Sequence, residues 1–213
     1  MSKLQTIDAD TLLSTPLPAT RFVVDRLLPE GLHILAGAPK VGKSWLALWL
    51  CLCVAKGESV WDFSVTKGTV LYLCLEDSLT RIQNRLFQIT EDAPDTLHFA
   101  TLAGSIGGGL EDQLKGFLAE HPGTALVVID TLQKVRQPGE NANPYASDYR
   151  DITALKRLAD DYSIAILLIH HLAYCVCPSW LVLCEPFIQR TLPMGQKFFG
   201  LCQFFLQKLQ LTI

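Results

Sequence analysis

Residues 33–49 read "HILAGAPKVGKSWLALW", a polar, glycine-bearing insert between two apolar runs. The run before it, "LHILA" at 32–36, predicts a strand, and residues 43–56 predict a helix that Gly57 ends in the left-handed conformation. Between them stands "GAPKVGKS", with Gly37, four residues, then Gly42, Lys43 and Ser44. A plain turn between strand and helix accounts for the two glycines but not for Lys43 in near-apolar surroundings. The spacing G-x-x-x-x-G-K-[ST] does account for it, as a loop that curls its N–H groups round phosphates. The following helix aims its positive end at the same place. Gly37, Ala38, Pro39, Lys40, Val41, Gly42, Lys43, Ser44 and Trp45 are therefore the expected nucleotide contacts. Lys43 brings a point charge to the β- and γ-phosphates of ATP, and Ser44 an oxygen for Mg²⁺.

Outward from this stretch, short apolar runs alternate with helical patterns. Strands are expected at 69–75, 97–102, 124–130 and 164–170, and helices at 78–89, 110–121 and 147–162. Ser78 or Asp77 is placed to cap the second of these helices, and "GGG" at 107–109 turns into the third. Strands apolar on both faces belong inside a sheet, and their alternation with helices implies parallel crossovers. The fold class is α/β, a mostly parallel sheet with helices on both faces. Ligands in such sheets bind at the carboxyl ends of the strands.

Those ends carry the remaining candidates. Asp130 closes "TALVVID", an apolar run ending in a carboxylate that orders the shell of a magnesium ion. Glu76 and Asp77 follow "TVLYLCL", where Glu76 is placed to act as base on an attacking water and Asp77 to cap the next helix. His170 and His171 end "IAILLIH" and its next residue; they point to opposite faces, so one can reach a γ-phosphate.

Composition bounds the reading. The 213 residues are 49% hydrophobic and 18% charged, enough for one core-forming domain. Net charge is −3, so any nucleic-acid contact is local rather than a global field. Asp8, Asp10 and Thr11 break up the leucines of the N-terminus, which leaves no secretory apolar core, and no apolar run approaches a membrane span. Seven cysteines occur without a CxxC pair, as expected of reduced thiols in a cytoplasmic protein.

Together, "LPEGLHILAGAPKVGKSWLALWL", "GTVLYLCLED", "LVVIDTL" and "ILLIHH" resemble the RecA-like ATPases of the AAA superfamily typified by the plasmid replication helicase RepA. The resemblance covers about residues 20–172 and implies a RecA-type core, ATP and Mg²⁺, and a ring, usually a hexamer, on single-stranded DNA. By motif it makes Lys43 and Ser44 the Walker A pair, Glu76 the catalytic glutamate, Asp130 the Walker B carboxylate, and His170 or His171 the γ-phosphate sensor. It also turns the loop 133–148, with Lys134 and Arg136, toward the channel of the ring, where DNA contact is expected.

The expected layout is a lead-in at 1–22, an ATPase core at 23–172 and an atypical tail at 173–213. Only Glu185, Arg190, Lys197 and Lys208 are charged in that tail. It matches none of the family's further strands or its arginine finger, and reads as a chain whose frame or natural end was lost near residue 172. Two other functions compete. A nucleotide-binding regulatory module with little turnover fits a missing finger, and a small-molecule kinase would want an Arg-rich lid, whereas residues 103–123 contain no Arg.

Overall fold

The computed structural model describes residues 4–17, 19–137 and 144–171, with 144–150 by backbone alone. The tail 173–213 and part of the loop 133–148 lie outside the described residues. The chain runs α1 (Ala9–Ser14), β1 (Phe22–Val24), β2 (Leu28–Pro29), β3 (Gly31–Gly37), α2 (Lys43–Lys56), β4 (Thr69–Cys74) and α3 (Leu79–Ile89). It continues through β5 (Leu97–Ala100), α4 (Leu110–Glu120), β6 (Thr124–Asp130), α5 (Leu132–Val135), α6 (Pro144–Tyr162) and β7 (Ala165–His171).

Five strands form one parallel sheet in the order β3-β7-β6-β4-β5. The most continuously apolar runs, β6 and β7, occupy its interior and are buried on both faces, as strands without alternation must be. The weaker run at 97–102 yields the four-residue edge strand β5. Side chains alternate between two cores. Val70, Tyr72, Leu126, Val128, Leu167 and Ile169 meet α2 and α3 on one face. Leu71, Leu73, Val127, Ile129, Ile166 and Leu168 meet α4, α5 and α6 on the other.

Helix α2 is apolar nearly all round, which suits only a site covered on every side. The sheet covers one side. The small antiparallel pair β1–β2 and the segment 57–66 cover the other, through Val23, Val24, Leu28 and Val60 and the tilted stack of Trp61 on Trp49. Gly57 ends the helix at φ 77°, its N–H donating to Cys53 and Val54 carbonyls, as its sequence position implies.

Three elements depart from the sequence reading. The lead-in holds a short helix, α1, because Asp8 caps it by accepting from the Thr11 N–H, yet none of its residues is buried. The pair β1–β2 is too short to show a period. Helix α6 starts three residues before Ser147, at Pro144, a residue whose fixed φ suits a first helical turn.

Candidate nucleotide site

Strand register assembles the site. Gly37 pairs with His171, Asp130 with Ile169, and Cys74 with Asp130, so four strand ends finish on one line. A cavity of about 240 Å³ opens there, lined by Pro39, Lys40, Ser44, Cys74, Glu76, Asp77, Arg81, Arg85, Asp130 and His171.

The loop 37–44 turns by positive φ at Lys40 (64°) and Gly42 (92°). Gly42 is also the residue before α2, and it leaves that 14-residue helix with no side-chain cap. The first N–H groups of a helix need partners, and here the cap position supplies none from a side chain, which suits an anion. Lys43 is buried, and its Nζ donates to the Gly37 carbonyl at 2.9 Å and to the Ala38 carbonyl at 2.7 Å. Burial pulls its pKa down, against the opposing charges of Asp130 and Glu76. Trp45, one residue on, lies under the Arg85 guanidinium at 5.5 Å.

The carboxylates are held by side chains from neighbouring strands. Asp130 is 5% exposed, and its Oδ2 accepts from the Tyr72 hydroxyl at 2.7 Å. The Thr131 hydroxyl donates to Glu76 Oε1 at 3.0 Å, and His171 Nε2 stands 3.5 Å from Glu76 Oε2. Of the two histidines, the structure brings His171 to the cavity. It shares a face with Leu167 and Ile169, whereas His170 shares the opposite one with Ile166 and Leu168. Asp77 does not cap α3 as expected. Ser78 does, accepting from the Arg81 N–H, and Asp77 is engaged by Arg81 at 3.1 Å and by Arg85. Two guanidiniums outcompete a backbone N–H for a carboxylate because those bonds are charge-assisted on both sides.

Tyr72, Thr131, Arg81 and Arg85 escaped the motif reading. Tyr72 has a faint signal, a hydroxyl inside an apolar strand two residues before its end. The arginines have another, a spacing of four on the helix that follows the acidic pair. Of the two basic residues in the loop after β6, Lys134 is exposed, but Arg136 is turned inward and lies 3.9 Å from Asp151 of α6.

The Ser44 hydroxyl and the Asp130 carboxylate both border the cavity. Two hard oxygen donors fit a small divalent cation that keeps most of its waters. Among the described residues no group of three or more His, Cys, Asp or Glu is placed to hold a metal by protein ligands alone.

The sheet order and the loop at its first strand define a RecA-like α/β fold of the P-loop class. The chain belongs to the AAA domain family, whose model matches residues 1–175. Among solved structures, the ATPase domain of a helicase superposes with a TM-score of 0.53 at 16% identity, over 68% of this chain and 58% of that one. That likeness is one of fold, and the chain spans little more than half of that domain. No curated protein matches the sequence. No described helix is long and apolar enough to cross a membrane.

Proposed function

We propose that the chain is an ATP-hydrolysing P-loop ATPase of the RepA replicative-helicase type, acting in the cytoplasm on the replication of a plasmid, phage or mobile element. The observation that carries the reading is the convergence of Glu76, Asp130 and His171, from three separate strands, on the cavity beside Ser44. A motif in one loop binds phosphate; turnover needs a base and a sensor facing it.

In this reading the residues of the loop 37–44 wrap the triphosphate, and Lys43 leaves its two carbonyl partners for the β- and γ-phosphates. Ser44 and Asp130 would hold a magnesium ion, which when bound neutralises charge on the phosphate oxygens. Glu76 accepts the proton of the attacking water. Thr131 orients its carboxylate, and His171, beside the same group, contacts the γ-phosphate. The core is residues 23–172, preceded by a lead-in and followed by the tail. The intact family member works as a homo-oligomeric ring, a hexamer, on single-stranded DNA, and Lys134 is the basic residue of the loop 133–148 free to touch that strand.

The test is Glu76→Gln. The amide still hydrogen-bonds but cannot take a proton, so nucleotide affinity is expected to hold while phosphate release collapses. Steady-state phosphate release, with and without single-stranded DNA, and titration of a fluorescent ATP analogue measure the two. Binding without release in the unmutated chain would instead identify a nucleotide-dependent regulatory module.

A further inference from the structure

Tyr72 is 2% exposed and projects from β4 into the layer between the sheet and α2. It is two residues short of the strand end, level with Val128 rather than Asp130. Its length brings the hydroxyl forward to the site all the same. There the hydroxyl lies 2.7 Å from Asp130 Oδ2 and 3.4 Å from the Ser44 carbonyl. The ring is wedged beside Phe99, centroids 6.0 Å apart, so it does not swing. Burial, and then the Asp130 charge, push its pKa well above the ordinary value, so the hydroxyl keeps its proton and donates.

This places one rigid group between the two residues proposed to hold magnesium. A carboxylate offers two equivalent oxygens and rotates about its last bond. Fixing one oxygen fixes the direction of the other. We infer that Tyr72 is a positioning residue, whose hydroxyl occupies Oδ2 of Asp130 and aims the second oxygen at the magnesium site beside Ser44. The inference rests on the reading of Ser44 and Asp130 as the magnesium donors. Thr131 does the parallel service for Glu76, but on a carboxylate that is 41% exposed and has a second neighbour in His171. Asp130 is the deeper group and depends more on its single buried donor.

The test is Tyr72→Phe, which keeps the ring on Phe99 and removes only the hydroxyl. A fluorescent ATP analogue at fixed concentration is titrated with Mg²⁺, and binding is measured again in EDTA. The Mg²⁺ midpoint should rise about 10–100-fold, the range seen when a partner of a metal ligand is lost. Binding in EDTA should be unchanged, and excess Mg²⁺ should restore turnover. If Tyr72 acts through Asp130, Tyr72→Phe added to Asp130→Asn should shift the midpoint no further than Asp130→Asn alone. An unchanged midpoint in Tyr72→Phe, or equal loss of affinity with and without Mg²⁺, overturns the inference. An unchanged midpoint in Asp130→Asn as well brings down the magnesium reading with it. Should Tyr72→Phe not fold, 3-fluorotyrosine at this position, a stronger donor of nearly the same shape, must move the midpoint; no movement refutes the role.

Discussion

The two walls of the cavity are built in opposite ways. The wall of residues 37–44 is backbone. It turns by positive φ at Lys40 and Gly42, and its one buried charge, Lys43, is held by carbonyls of the same loop. The facing wall is side chains. Tyr72 holds Asp130, Thr131 and His171 hold Glu76, and Arg81 and Arg85 hold Asp77, so β4, β6, β7 and α3 interlock. A wall bonded to itself can change shape without disturbing the core. A wall bonded across four elements cannot. Rearrangement on binding nucleotide therefore falls on the loop, and the carboxylates stay as preorganised dipoles.

The harshest way to break that contrast is Lys43→Ala. The ammonium serves the loop wall in both states, on carbonyls before binding and on phosphates after it. Its removal should weaken ATP about 10–100-fold, from a charge-assisted contact of roughly 1.5–3 kcal/mol. Titration of a fluorescent ATP analogue measures this. Unchanged affinity in a folded variant would remove the phosphate role from the loop.

A gentler change sharpens the other wall. Thr131→Val removes the donor on Glu76 Oε1 but keeps the branched shape in a fully buried position. His171 still flanks the second oxygen, so orientation is loosened rather than lost. Turnover should fall about fivefold, the effect of one hydrogen bond of about 1 kcal/mol. Nucleotide affinity should stay as it was. A fall in affinity matching the fall in rate would mean that the two walls are not separable.

The same contrast explains what the sequence made legible. The loop wall lies in eight consecutive residues, so spacing alone identifies it, together with the strand and helix that flank it. Asp130, Glu76 and His171 are legible one at a time, because each ends an apolar strand. What joins them is not. The bond from Tyr72 to Asp130 spans 58 positions and that from Thr131 to Glu76 spans 55. It exists only once the register sets Cys74 beside Asp130. The choice between His170 and His171 was likewise a question of face, which β7 answers and the doublet does not. Asp77 shows the limit of local rules, since a good capping position was overruled by two arginines one and two helical turns away. The hairpin β1–β2 was missed for a further reason. Its apolar residues serve α2, a helix far along the chain, and carry no period of their own.

The smallest expected effect concerns protons, and here the walls differ in sign. Cys74 lines the carboxylate wall, buried, its Sγ 3.3 Å from the Ala100 carbonyl, and burial pushes its pKa from 9.0 to about 11. The folded state thus prefers the neutral thiol. That contribution to stability is complete below pH 9 and is lost as pH rises through 11, amounting to about 1 kcal/mol lost by pH 10. Lys43, in the loop wall, has its pKa pulled below 10.5, so the unfolded chain holds that proton more firmly. Its contribution runs the other way, with stability gained as pH climbs toward 10.5. Cys74→Ser should therefore flatten the alkaline loss of stability, and Lys43→Met should steepen it. Cys51 and Tyr72, also buried with raised pKa, supply a common background of alkaline loss in every variant. Urea midpoints at pH 8, 9 and 10 for the three chains measure the slopes. If both substitutions shift the slope in the same direction, the opposed burial of a neutral thiol and a charged lysine across this cavity is not what sets its response to pH.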